Sequence, residues 1–261
     1  MISDDPYFKV RLARDERDLL AAQRLRYAVF VEELGGTGAL VDHDQRFERD
    51  EFDPVFEHLL LIDNRRDAKE LDDVVGVYRL LRGDAAAEFG RFYSEGEYDL
   101  EPLKRSGRSL VELGRSCVHP DYRGGTAMFH LWNGLAEYVL EREIEIMFGV
   151  ASFHGTDIEA LKMPLSYLHH NHLAPEGLRV RTQPEHFQSM DLVPAAEVDR
   201  PAAMRGTPAL IKAYLRLGGF VGEGAFIDRP FNTTDVCLLM DTKSMSDRHK
   251  GFYTRKYEAR A

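Results

Sequence analysis

One stretch, Leu110 to Gly125, narrows what this chain can fold into more than any other: an apolar strand that carries two charges and runs through a turn into a glycine-rich helix entrance. Leu110, Val111, Leu113, Cys117 and Val118 make the strand, bounded by Gly107 and by Pro120-Asp121. Glu112 and Arg115 interrupt it, and charges inside a half-buried strand are costly unless they are paired or used. Beyond the turn, Gly124 and Gly125 allow close backbone approach to a ligand. Thr126 is placed to begin a helix whose free N–H groups point back toward the strand end. The combination predicts chemistry beside a phosphate; the alternative is an ordinary strand-turn-helix connection in which Glu112 only holds Arg115.

The rest of the chain reads as a mixed α/β domain without repeats or linkers. Phe8 to Leu12 alternates as a first strand. Asp15 can cap a helix whose Leu20, Tyr27, Val31 and Leu34 fall at helical spacing, with Arg26 and Phe30 on an adjacent face. Gly35, Gly36 and Gly38 open a charged loop that runs to Asp53-Pro54. Phe56 to Ile62 and Val74 to Leu81 are strands of an antiparallel meander, and an acidic segment, Asp84 to Glu101, leads to the strand around Glu112. A helix with Met128, Trp132, Leu135 and Val139 as its stripe connects that strand to another, Ile144 to Phe153. This is the length of a right-handed parallel crossover. A helix from Ala209 to Leu217, stopped by Gly218-Gly219, and strands near Phe220–Asp228 and Thr234–Met240 complete the pattern. The expected division is one domain over 1–242 and a basic tail over 243–261.

Charge excludes some functions. A formal net charge of -10 over 261 residues argues against general nucleic-acid binding. The tail departs from this, with six basic residues against two acidic ones from Lys243 to Ala261, and could touch an anionic membrane surface or remain solvated. The acidic N-terminus lacks a signal pattern and no run approaches the roughly 18 apolar residues of a span, so a cytoplasmic protein, in contact with a membrane at most peripherally, is expected. Cys117 and Cys237 read as reduced core residues. His169-His170-Asn171-His172 lacks a carboxylate or cysteine at ligand spacing, so no metal is expected.

Arg26-Tyr27-Ala28-Val29-Phe30, Gly76-Val77-Tyr78-Arg79-Leu80-Leu81 and Glu112-Leu113-Gly114-Arg115 resemble elements of the GNAT acyltransferase fold. The resemblance is to the branch shared by acyl-homoserine-lactone synthases and ornithine-lipid acyltransferases. Glu112 to Arg123, Phe148 to Asp157, Leu165 to Pro175 and Phe231 to Val236 resemble the L-ornithine N-alpha-acyltransferases more closely. The resemblance implies a GNAT-like α/β fold with a mixed, mostly antiparallel sheet, a central parallel crossover and helices on both faces. It also implies transfer of a 3-hydroxyacyl group from the phosphopantetheine thioester of acyl carrier protein to the α-amine of ornithine, with no permanently bound cofactor. Another acceptor such as glutamine, or lactone synthesis, would use the same fold.

The roles that follow are expectations. An attacking amine must lose a proton, which makes Glu112 the candidate general base, with Arg115 beside it and His58 able to hydrogen-bond it from a neighbouring strand. Arg26, Phe30, Asp53, Arg79 and Ser116 are candidate acceptor-binding residues, since a zwitterion needs both signs of charge. Val118, Arg123, Gly124, Gly125 and Thr126 are candidates for the phosphopantetheine. This loop lacks the third small residue of the fuller GNAT pattern, a departure that weakens a diphosphate donor more than a single phosphate. Arg123, Arg142, Lys162, Arg179 and Arg181 are candidate contacts for an acidic carrier. Tyr214 is one residue out of register with the tyrosine that many GNAT enzymes use as an acid, and reads as core.

Overall fold

In chain order, the computed structural model, which describes residues 6–243, has β1 (Phe8–Leu12), α1 (Glu16–Arg26), β2 (Glu57–Asp63), β3 (Val74–Arg82) and α2 (Gly83–Phe89). There follow β4 (Tyr98–Asp99), α3 (Glu101–Arg105), β5 (Leu110–Val118), α4 (Ala127–Glu141), β6 (Ile146–His154) and α5 (Ile158–His172). The described residues close with β7 (Arg181–Thr182), α6 (Arg200–Gly206), α7 (Ala209–Arg216), β8 (Phe220–Val221), β9 (Phe226–Asp228) and β10 (Thr233–Asp241). These residues divide into two units, one formed by 6–89 with 112–143, the other by 90–111 with 144–243.

In the first unit the strands lie in the order β1-β2-β3-β5. β1 and β2 are antiparallel from Phe8↔Asp63 to Leu12↔Leu59, and β2 and β3 are antiparallel with a bulge at Leu61/Ile62, which is the expected meander. Strand alternation then assigns the faces. Leu60, Ile62, Val74 and Val77 pack with Ala21, Ala22, Leu25 and Val29, which places α1 and its continuation on one side. A Cβ on Gly76 would meet Leu131, and one on Gly134 would meet Val10 and Leu59, so α4 covers the other side.

The inward stripes match those expected only in part: Tyr27 after α1 and Leu135 and Val139 on α4 are buried as expected, and the others are not. α1 buries its small residues Ala21 and Ala22, whereas Leu34 is 43% exposed. Leu34 turns outward because of a change of pitch: after Arg26 the helix continues as a π-helical stretch, Tyr27–Glu33, with Leu34 N–H donating to Val29 O at 3.2 Å, so a 3.6-residue period no longer applies. On α4 the sheet is met by Leu131 and Gly134, while Met128 and Trp132 are only half-buried. A glycine lets the helix approach the strands more closely than a large side chain would.

In the second unit β6 and β10 pair antiparallel along their whole length, from Ile146↔Asp241 to His154↔Thr233. The single run expected over 220–228 is two short strands, β8 and β9, both antiparallel to β10. β4 and β7 form a separate two-stranded ribbon. No helix among the described residues is long and apolar enough to cross a membrane. Lys243 pairs with Glu145, and the rest of the expected basic tail lies outside the described residues.

The α4 contact is tight enough to test. A Cβ on Gly134 would lie 2.4 Å from Val10 Cγ1, so Gly134→Ala should destabilise the protein by about 1–2 kcal/mol, overpacking outweighing the helix-propensity gain of roughly 1 kcal/mol. Adding Val10→Ala should recover part of that loss, read as the midpoint of urea unfolding.

Candidate active site

The site begins where α1 ends. Asp15 caps the helix by accepting from Asp18 N–H, and the last residue, Arg26, points inward with no exposed surface. The following loop is laid back over the helix, with Glu48 N–H donating to Gln23 O at 3.2 Å. It carries four carboxylates within six residues, and three of them, Glu48, Asp50 and Asp53, meet arginines of the neighbouring elements. Arg26 donates to Glu48 through Nε and to Asp53 through Nη1 at 2.6 Å, and Gln23 donates to Asp53 at 2.9 Å. From β3, Arg79 Nη1 donates to Asp50 at 2.7 Å and to Asp53 at 2.8 Å. From β5, Arg115 Nε donates to Glu48 at 3.1 Å and Nη2 to Asp50 at 3.4 Å. Three arginines and three carboxylates thus form one network inside the first unit.

Mutual pairing keeps these groups charged. Burial works to raise the Asp53 pKa, but Arg26 and Arg79 hold it well below the usual carboxylate range. Glu48 and Asp50 are likewise lowered against the effect of burial, by Arg26 with Arg115 and by Arg79 with Arg115 respectively. Removing one partner from such an array leaves a buried charge uncompensated, at a cost of about 3–5 kcal/mol.

Glu112 is buried on β5, 1% exposed. Its direction follows from its neighbours. A Cβ on Gly114 would face Phe56 Cε1 at 3.9 Å and the Arg79 guanidinium at 4.0 Å, and side chains two apart on a strand share a face. Glu112 therefore lies on the side of the arginine-carboxylate network. Cys117 packs on that same side, in the cluster with α1. An even and an odd position can share a face only if one residue drops out of alternation. That residue is Arg115, which is left-handed at φ 48°. The break swings the Arg115 guanidinium to Glu48 and Asp50 and to 5.9 Å from the Phe30 ring.

The other expected residues fall as follows. His58 lies across from Arg79 in the strand register, but its Nε2 contacts Asp53 O at 3.2 Å and its Nδ1 has no hydrogen-bond partner, so it is not bonded to Glu112. Burial, then the charge on Arg26, pushes its pKa down to about 4, leaving it neutral at pH 7. Ser116 is half-buried beside Arg115. Val118 is buried and its carbonyl accepts from Arg123 Nε at 3.1 Å. The following turn is tied to the sheet, with His119 N–H donating to Val75 O at 2.9 Å and Tyr122 OH donating to Asp63 at 2.7 Å. Gly124 takes φ 76°, a conformation costly for other residues, and Thr126 begins α4 without capping it by its side chain. Arg123 makes a bidentate pair with Glu33, both bonds 2.6 Å.

Glu48 and Asp50 were not singled out from the sequence. The signal was the density of carboxylates before Pro54, but acidic loops are ordinarily solvated and nothing local marks this one as buried. The histidine motif does find a carboxylate, from a distant loop: His170 Nε2 lies 3.4 Å from Asp191 and His169 Nε2 3.9 Å from it. His170 Nε2 also meets Val193 O at 2.9 Å, the better hydrogen bond. The candidate carrier contacts are already engaged, Arg142 with Glu57 and Glu141, Lys162 with Glu159, Arg181 with Glu223, and Arg179 with Ala174 O.

Comparison with known proteins gives this geometry a context. Residues 25–133 match the acetyltransferase (GNAT) domain. The chain is 66% identical over 253 residues to the L-ornithine N(alpha)-acyltransferase of Rhodobacter capsulatus, covering 97% of each chain. It is 40% identical to that of Brucella abortus, covering 94% of this chain and 88% of the relative. Among solved structures, the CoA-dependent acyl-homoserine lactone synthase BjaI is similar at TM-score 0.52 and 14% identity, covering 97% of this chain and 89% of that one. FeeM, an N-acyl amino acid synthase from uncultured soil microbes, is similar at TM-score 0.51 and 10% identity, covering 91% and 92%. The fold is GNAT-like α/β, with a mixed, mostly antiparallel sheet.

The low pKa of His58 has a consequence for stability. Between about pH 6.5 and about pH 4 the unfolded chain binds a proton at this residue that the folded chain does not, so stability falls as the pH falls through that window. His58→Gln should flatten the dependence by up to about 1.4 kcal/mol per pH unit, measured by urea unfolding at pH 4.5, 5.5 and 6.5.

Proposed function

The chain belongs to the family of L-ornithine N(alpha)-acyltransferases, and from that premise we propose that it transfers a 3-hydroxyacyl group from the phosphopantetheine thioester of acyl carrier protein to the α-amine of L-ornithine, with Glu112 as general base. That it is an N-acyltransferase rests on the relatives and on the GNAT domain. The observation that carries the finer reading is the placement of Glu112, a buried carboxylate on the same face of the sheet as a network of both charge signs.

The chemistry runs as follows. Glu112, directly or through a water, accepts a proton from the α-amine as its nitrogen attacks the thioester carbon. A C–N bond forms, the C–S bond breaks, and the departing thiolate takes up a proton. Backbone N–H groups of the 115–118 segment are the candidates to polarise the carbonyl oxygen, a modest demand because thiolate is a good leaving group. The 123–126 loop suits a single phosphate: Gly124 keeps the backbone bare, α4 begins without a side-chain cap, and Arg123 is a cation whose half-exposed bond to Glu33 is cheap to exchange. The two signs needed to bind a zwitterion are present in the arginine-carboxylate network. The lyso-lipid product is amphiphilic, which fits peripheral contact with a membrane through the basic tail.

Purified protein given 3-hydroxyacyl carrier protein and L-ornithine should yield N-acylornithine by mass. Product from S-adenosylmethionine instead would make it a lactone synthase, and equal use of acyl-CoA would remove the carrier from the reading. Glu112→Gln should lower kcat by about a hundredfold or more with little change in melting temperature. Wild-type turnover in that variant would remove Glu112 as base.

A further inference from the structure

We propose that Asp50 reads the second, side-chain ammonium of the acceptor, so that the site is built for a diamino acid rather than for amino acids at large. The inference rests on the acceptor reading above and adds to it the residue that selects the side chain.

The six members of the network are not equally reachable. The side chains of Arg26, Arg79, Glu48 and Asp53 are 0%, 1%, 2% and 4% exposed, while those of Arg115 and Asp50 are 16% and 20% exposed. The first four form a sealed scaffold, and an incoming molecule meets Arg115 and Asp50. Asp50 is further divided by atom. Its Oδ1 accepts from Arg79 Nη1 at 2.7 Å and from Phe52 N–H at 3.0 Å, which fixes the carboxylate in place. Its Oδ2 has Arg115 Nη2 at 3.4 Å, longer than the 2.7–2.9 Å of a good charge-assisted bond. A held carboxylate with one oxygen weakly engaged and partly open to solvent is suited to receive an ammonium. Arg79 and Arg115 keep it ionised against the effect of burial.

Formal charge agrees. With Glu112 ionised, as its role as base in the proposed reaction requires, Glu48, Asp50, Asp53 and Glu112 carry four negative charges on this face of the first unit, against three positive charges on Arg26, Arg79 and Arg115. The remainder of one negative charge matches an acceptor that arrives with a net charge of one positive, two ammonium groups and one carboxylate. A neutral zwitterion such as glutamine or norleucine leaves that charge uncompensated. Of the three arginines, Arg115 is the one exposed enough to take the acceptor carboxylate, next to the carboxylate that takes the ammonium.

The test is a ratio. For wild type, Asp50→Asn and Asp50→Glu, kcat/KM is measured with L-ornithine and with L-norleucine, which is as long but has no second amine, and with 2,4-diaminobutyrate. In Asp50→Asn the ornithine-to-norleucine ratio should fall by about 30-fold or more, chiefly through KM for ornithine. A ratio within about threefold of wild type, including an equal loss on both acceptors, overturns the inference. Asp50→Glu keeps the charge and extends it by a methylene, so it should retain preference for a cation while shifting it toward the shorter diaminobutyrate. If Asp50→Asn does not fold, loss of cation preference in Asp50→Glu, or an unshifted one, overturns the inference as well. Failure of the wild type to acylate ornithine would sink the acceptor reading itself, whereas an ornithine-selective wild type with an unchanged Asp50→Asn ratio sinks only the role of Asp50.

Discussion

A guanidinium with no contact to water, Arg26, is the charge around which the first unit is organised. Taking it out of solvent is affordable only because Glu48 and Asp53 meet it from two sides, and both come from a loop that has no regular structure of its own. The dependence is mutual. Arg26 needs the loop to be folded back, and the loop is held there by Arg26 and Arg79 together with the buried rings of Phe47 and Phe52. The order in residues 48–53 therefore has two sources, the burial of Phe52 and the ion pairs, and the ion pairs fix the carboxylates at the end of a helix and beside β3.

Such an array is a poor way to gain stability, since an apolar replacement of the same volume would avoid the desolvation cost. What it provides is definition. Each arginine has a directional fork, each carboxylate has two oxygens, and the shared bonds leave few arrangements that satisfy all six groups. A substrate with charges of both signs needs partners whose positions do not relax when it binds, and a sealed inner scaffold that fixes the orientation of Asp50 and Arg115 meets that need.

The same logic separates what could be read in the chain from what could not. The meander, the cap at Asp15 and the strand around Glu112 are local: alternation, a capping residue and a turn declare them within a few residues. Arg26, Asp53, Arg79 and Arg115 were also within reach, because an arginine in an apolar run is conspicuous and the family resemblance points to the same positions. Glu48 and Asp50 were not, since what pairs with them is arginines 22 to 67 residues away in sequence. Two further features that the sequence does not show are shifts of period. The π-helical stretch after Arg26 and the left-handed Arg115 each insert a residue into an otherwise regular count, and no residue type announces either one.

Those two irregularities act together on the site. An unbroken α-helical pitch through residues 27–33 would send the loop that carries Glu48 and Asp50 away from α1 in a different direction. An unbroken β5 would put Glu112 and Cys117 on opposite faces of the sheet. In the observed arrangement Glu112 and Cys117 share the face toward α1, one placing a carboxylate beside Gly114, the other closing the apolar cluster, and Arg115 between them turns to the loop carboxylates. The burial of Cys117, which pushes its thiol up to about 12, marks how dry that flank is. A carboxylate meant to take a proton from an amine benefits from such a neighbour, because water that would compete for the thioester has little room on the cysteine side while the charged network defines the other.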